Sequence, residues 1–465
     1  MVSIRRAACV WVFIAAGAAA QVVLPPDMGV PGRAPTVPGP EHDLALERLA
    51  AGDYDAATDL ASREYRGSVR MGADRWIDSI ASAALLGECL FETGDFDAAI
   101  ARYEEAMLVE AARGDWLLAV QFPPQPLRAS GAGRAGTWGR SRRNTVPGAI
   151  PETIAIRQSS GDAQEVLKRG GVLMADHDRL VRPQEIMRML VVAIYRHAVL
   201  LGPLAREANA LDAVEAALAR RAAPPNHWSQ AWIDVALGVI CWAQGKPEAA
   251  GPLLTRGLVA GNQFDHALTA WGLIVLGRMA LDADQPQRAA ELFEEATYAA
   301  ADFGDVRALE EAFALAATAH ALAGTRGVPP VIARGCDQLR GELPALHARL
   351  VAIEAERWAA ARDVRSASAA LREIDPRLLQ ATAGRNTLGC RTMYARALAA
   401  YAAGDEAAGD AALRDAIGLQ ARRSPRLFQT RVLTGVVRAG GNAIPDRIAE
   451  SMYARLLADP DGRDF

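Results

Sequence analysis

Past its first twenty residues, this chain has no apolar run long enough to cross a bilayer. A spanning helix needs about 20 apolar residues, and the best internal stretch, Met189 to Leu201, is interrupted by Arg196 and His197. Sustained alternation of β-branched residues is also missing, which argues against a large sheet. An excess of basic charge is absent: 51 Lys and Arg face 55 Asp and Glu, and only Lys168 and Lys246 are lysines, so a dedicated nucleic-acid binder is not expected. The five cysteines show no CxxC spacing, and no HExxH, nucleophile elbow, phosphate loop or EF-hand loop occurs. No catalytic residue, metal or cofactor is therefore expected, and the chain is not read as an enzyme.

What is present begins with a leader. A charged start, MVSIRR, precedes an apolar stretch from Ala7 to Ala19 and a small-residue site at Ala18-Ala19-Ala20. This is the pattern of a secretory signal peptide, residues 1–20, with cleavage near Ala20. Cys9 lies at the start of the apolar stretch, in the wrong context for lipid attachment. A periplasmic or extracellular chain without a transmembrane segment is the expectation. Export permits disulfides; Cys89 and Cys241 fall on apolar helix faces, and Cys336 with Cys390 is the one pair that spacing leaves open.

Residues 21–43, with Pro25, Pro26, Pro31, Pro35, Pro38 and Pro40, read as an extended linker. From Leu44 apolar residues recur at helical spacing, broken every dozen or so residues by Gly, Asp or Pro. Equivalent positions recur 39 residues apart: His227 and His266, Trp232 and Trp271, Gly238 and Gly277, Pro247 and Pro286, Ala250 and Ala289. Turns are expected at Gly52, Gly94, Gly202, Gly245, Asp284, Ala323, Arg362 and Gly404. One long gap in this series falls between Gly94 and Gly202.

Within a unit, Leu-Gly is followed by a turn and then by Ala-x3-aromatic-x2-Ala. The clearest copies are Gly87, Ala99, Tyr103 and Ala106, and Gly277, Ala289, Phe293 and Ala296. These positions resemble the tetratricopeptide (TPR) repeat in a long-period variant, beyond the usual unit of about 34 residues. The chain is similar to uncharacterised exported bacterial TPR proteins. The resemblance implies an all-α fold, a right-handed superhelical array of antiparallel helix pairs (a TPR-like α-solenoid). Repeats are expected at 44–115 and 183–440, an Arg/Gly/Pro-rich insertion and irregular segment at 116–182, and a C-terminal cap or tail at 441–465.

The insertion has no Asp or Glu from Trp116 to Pro151 but carries Trp138, Arg140, Arg142 and Arg143. Three readings stand: a solvated loop, a dock for an anion or glycan, or a segment folded back over the array. His227 and His266 follow Asn226 and Asp265, expected helix caps. They read as structural contacts before they read as a metal pair, although Asp305 continues the 39-residue step. Trp232 and Trp271 are open between packing and an aromatic ladder on the concave face. Asp176-His177-Asp178 is expected to be a loop turn. The function expected is that of a non-catalytic scaffold mediating protein–protein interaction in the bacterial envelope, with a protein or peptide held in the concave face. The alternative is a module binding an anionic or glycan ligand through Trp138 and the insertion arginines.

Overall fold

A computed structural model of the protein describes residues 36–71, 74–129, 138–158, 177–220, 222–380 and 386–423. Residues 1–35, with the expected leader and most of the Pro-rich stretch, and the residues after Arg423 lie outside these, so the expected cleavage site and C-terminal cap are not described. The described residues are mostly α-helical, with 17 helices and seven short strands.

Four helices precede the insertion: α1 (Pro40–Ala51), α2 (Tyr54–Gly67), α3 (Asp78–Glu92) and α4 (Phe96–Arg113). After it come α5 (Pro183–Leu201), α6 (Asn209–Leu218), α7 (Gln230–Ala243), α8 (Pro247–Gly257), α9 (Thr269–Asp282), α10 (Pro286–Asp302), α11 (Val306–Leu322) and α12 (Pro330–Leu339). The last five are α13 (Pro344–Ala360), α14 (Val364–Glu373), α15 (Pro376–Gln380), α16 (Thr387–Ala402) and α17 (Glu406–Arg423).

The connections explain why helices stop and start where they do. Gly52, Gly94, Gly304 and Gly404 take positive φ, which ends one helix, and the next residue is an aspartate. Asp53, Asp95, Asp305 and Asp363 then accept backbone N–H bonds from the first turns of α2, α4, α11 and α14. Elsewhere proline opens the helix, as at Pro247, Pro286 and Pro344, where its missing N–H loses nothing. Positive φ occurs at seven of the eight turn positions expected from the sequence; the eighth falls on Gly324. Ala323 stays right-handed at φ −73° because the glycine beside it adopts the left-handed conformation more cheaply.

Two other expectations change. Helix α1 opens at Pro40, inside the stretch read as linker, and Val37 bridges Val181, its N–H donating to the Leu180 carbonyl at 3.1 Å. Part of the insertion is sheet. Strand β3 (Leu127–Arg128) pairs antiparallel with β4 (Val146–Ala149), which lies parallel to β7 (Phe264–Asp265). Strand β5 (Ile154–Gln158) pairs antiparallel with β6 (His177–Val181), Ile154 opposite Val181. His177 and Asp178 are therefore in a strand and not in a loop turn, because a ladder of backbone hydrogen bonds outweighs the local turn preference of Asp. The first short pair, β1 (Arg70–Met71) and β2 (Asp74–Arg75), joins α2 to α3.

One apolar core runs from Val37 to Ala395, and small residues set its spacing. Ala99, Ala106, Ala250, Ala289 and Ala296 are fully buried, as are Tyr103 and Phe293. A Cβ on Gly87 would lie 2.5 Å from the Tyr103 ring, and one on Gly238 would lie 2.6 Å from the Leu254 side chain. At Gly277 it would collide with Phe293. Each glycine thus lets the first helix of a pair press onto a large side chain of the second. Helix α13 also packs against α1, and α16 against α3, which brings late helices back onto the first ones.

Replacing Gly277 by leucine overpacks the α9–α10 contact and should cost about 1–3 kcal/mol of stability, measured by urea unfolding. Hydrogen exchange should rise first in α9 and α10.

Candidate functional site

The helices that return to the beginning of the chain meet in a buried ionic cluster. Glu92 ends α3 and is fully buried. Its carboxylate accepts from Arg307 Nη1 on α11 at 2.8 Å, from Arg349 on α13, and from the Thr387 hydroxyl at the start of α16 at 2.5 Å. Arg349 Nε and Arg307 Nη2 lie 2.8 and 3.3 Å from the oxygens of Glu310. One turn before Glu92, Glu88 accepts from the Tyr103 hydroxyl at 2.6 Å and from Arg196 Nε at 3.2 Å. Arg196 reaches on to Glu311 at 2.8 Å, and Glu311 takes bonds from the Tyr195 hydroxyl and from Arg278 at 2.9 Å. Four arginines face four glutamates.

Burial disfavours every charge here, and partners decide the outcome. Burial pushes the Glu311 carboxyl up, but Arg196 and Arg278 outweigh it and bring it down to about 2. Burial likewise opposes ionisation of Glu92, and Arg349 and Arg307 overcome it. At Glu310 burial wins over the same two arginines, and its carboxyl is raised. Tyr103 and Tyr195 are pushed well up by burial and remain neutral donors. A second cluster lies on α5: Glu185 accepts from His42 Nε2 at 2.6 Å and from Arg188 at 2.6 Å. Burial would raise it, but Arg188 and His42 hold it far below the usual carboxylate range.

Two cavities flank the ionic cluster. One, of about 340 Å³, lies between α1, α5 and the starts of α11 and α13. Leu46, Met189, Val192 and Val306 form apolar wall, and Glu47 and Arg307 are among its charged lining. The other, of about 200 Å³, lies between α3, α5, α11, α13 and α16, and Arg196, Glu310 and Arg349 form part of its wall. Among the described residues, no group of three or more His, Cys, Asp or Glu side chains is placed to hold a metal ion.

The residues singled out from sequence lie elsewhere. The insertion folds back onto the helices that follow it. Trp138 is 4% exposed, its indole N–H donates to the Thr297 hydroxyl at 2.9 Å, and its ring meets Phe313 edge-on at 5.3 Å. A buried indole held this way offers no face to a glycan. Arg143 pairs with Asp265 at 2.5 Å and Arg142 with Glu291 at 2.8 Å, so both arginines anchor the insertion; Arg140 is exposed.

His227 and His266 are also structural. Asn226 and Asp265 do not cap helices: α7 begins at Gln230 and α9 at Thr269, and Asp265 belongs to β7. His266 is buried, donates to the Gly257 carbonyl at 2.7 Å and accepts from the Leu268 N–H at 3.3 Å. Burial lowers its pKa to about 4, which keeps it neutral. His227 donates to the Pro123 carbonyl at 3.3 Å and meets the Phe122 and Trp228 rings at a tilt. Trp232 and Trp271 are buried, and the Trp271 N–H donates to Asp305 at 2.9 Å, so no aromatic ladder faces solvent. All four cysteines among the described residues are free thiols, Cys336 and Cys390 included.

Glu88, Glu92, Arg196, Arg307, Glu310, Glu311 and Arg349 escaped sequence reading. Their one signal was the pair Arg196-His197 inside the apolar stretch from Met189 to Leu201. No family model and no curated protein matches the chain. Among the described residues no helix is long and apolar enough to cross a membrane.

The start of the insertion is tied to α4 by the Trp116 indole, which donates to Glu110 at 2.9 Å while the other Glu110 oxygen is buried without a partner. Burial raises the Glu110 carboxyl from an ordinary 4.5 to about 7. The folded state therefore binds the proton more tightly, and this contribution to stability is full below 4.5 and fades as pH rises towards 7. In Glu110→Gln the fall in melting temperature between about pH 5 and 8 should be shallower than in the parent, as read by scanning calorimetry.

Proposed function

We propose that this chain is an exported, non-catalytic TPR-like α-solenoid, in which helix pairs stack in a right-handed superhelix and the inner helices hold a segment of a partner protein in the bacterial envelope. The observation that carries this reading is the 340 Å³ groove between α1, α5, α11 and α13. Its size falls within the roughly 300–1,000 Å³ of binding clefts, and its apolar floor with a charged edge suits one apolar anchor side chain flanked by polar residues. Buried glycines beneath large side chains support the repeat reading, since they serve the close helix pairing that such arrays need. The glycan alternative finds less support, because Trp138, Arg142 and Arg143 are engaged in fastening the insertion.

The test is a photo-crosslinking residue placed at Glu47 or Leu343 in the producing cell, with Leu322 as the control. Leu322 is 63% exposed and ends α11, whose 17 residues begin at the groove. It therefore lies about 25 Å from it. One discrete partner captured from both groove positions and not from Leu322 is the expected outcome. No adduct from either groove position would overturn the reading.

A further inference from the structure

We propose that residues 424–438 of this chain dock in the groove between α1, α5, α11 and α13 and so occupy the place of the partner. The proposal rests on the reading of that groove as a binding surface and adds how its occupancy is controlled.

The groove does not end with its 340 Å³. A further cavity, of about 450 Å³, opens between the end of α1, the start of α13 and α15, and Ala51 and Pro344 stand in the walls of both. Apolar side chains line the path, Leu46, Met189 and Val192 in the first part and Leu378 in the second. Along the rim Glu47, Glu342 and Asp375 are exposed, and none of them has an ion-pair partner among the described residues. Asp53 and Glu373 are exposed there too, each with one exposed arginine, Arg48 at 3.7 Å and Arg340 at 3.1 Å. The positive groups of the first part are already taken up: Arg188 by Glu185, Arg307 by Glu92 and Glu310, and the start of α11 by its cap Asp305. Of the arginines in these walls only Arg377 is exposed. An apolar floor beneath an acidic rim is complementary to a segment that alternates apolar side chains with cations.

The chain carries such a segment, and α17 leads to the groove. From Ser424 to Arg438 there is no Asp or Glu, and Arg426, Arg431 and Arg438 are interleaved with Leu427, Phe428, Val432 and Leu433. Helix α14 packs back along α13, and its last residue, Glu373, lines the second cavity. Helix α17 packs back along α16 in the same way, the Tyr401 hydroxyl donating to Asp410 at 2.8 Å beside the turn at Gly404. Its end at Arg423 therefore lies level with the start of α16. There the Asn386 amide donates to the carbonyl of Leu378, a wall residue of the second cavity, at 3.0 Å. Neighbouring helix axes lie about 8–10 Å apart. Fifteen extended residues reach about 50 Å, so the segment is long enough to run from α17 along both cavities.

The experiment places a photo-crosslinking residue at Leu343 in the purified full chain, with Leu322 as the control position, and locates the adducts by peptide mass spectrometry. An adduct to residues 424–438 on a chain of monomer mass, absent from the control, is the expected result. Arg426→Glu with Arg431→Glu should lower its yield at least about threefold. Adding Glu47→Arg and Glu342→Arg to that variant should restore it, with the melting temperature nearly unchanged because both glutamates are exposed and unpaired. In the producing cell the Arg426→Glu, Arg431→Glu chain should capture more of the partner at Leu343 than the parent does. No adduct to 424–438, an adduct only between two copies, or a yield that charge reversal leaves undiminished or the charge swap leaves unrestored would each overturn the proposal. A partner captured in the cell without the internal adduct would sink this proposal alone, whereas the internal adduct without any captured partner would sink the partner reading alone.

Discussion

Glu92 is the group on which the closure of this fold depends. It is a carboxylate at the last residue of a helix, fully buried, where both the low dielectric and the negative end of the α3 dipole disfavour its charge. The dipole contributes about 0.3–1 kcal/mol and burial several kcal/mol, so the ion persists only because donors from α11, α13 and α16 converge on it. Those helices lie 215 to 295 residues further along the chain. Arg307 in turn sits near the start of α11, where a cation is poorly placed, while Glu310 and Glu311 follow within about a turn. The cluster is balanced only as a whole, which makes it a fixed point for the packing of seven helices, α3, α4, α5, α9, α11, α13 and α16.

A network of this kind specifies geometry more than it adds stability. An apolar core of equal volume would often be as stable or more so, whereas leaving one charge unpaired costs about 3–5 kcal/mol. The alanines and glycines of the helix pairs allow close approach; the ionic cluster then selects one register for the helices that meet at it, and it supplies part of the wall of both flanking cavities. The insertion packs against other helices, where Phe122, Trp138 and Arg143 meet the starts of α7 and α9 and the face of α10.

Local features were legible in the sequence because local physics decides them. The turns expected at Gly52 and Gly94 are helix ends, and the aspartates that follow them cap the next helices. Gly277 and Phe293 were legible as repeat positions, and the structure brings them against each other. The cluster was not legible. Arg196 interrupts the apolar run of α5, and that interruption excluded a membrane span without revealing that Glu88 and Glu311, 108 and 115 residues away, were its partners. Asp265 looked like a cap but serves Arg143, 122 residues earlier in the chain. Spacing carries no information about partners that only the tertiary fold brings together, and the site is made almost wholly of such pairs.

A double-mutant cycle on Glu92 and Arg349 tests the central claim most directly, with Glu92→Gln, Arg349→Met and the double variant unfolded in urea. If the pair closes the fold as described, the double variant should be more stable than the sum of the single losses predicts, with a coupling of about 0.5–3 kcal/mol. Additivity within about 0.3–0.5 kcal/mol would mean that α3 and α13 do not depend on this contact, and it would contradict the account.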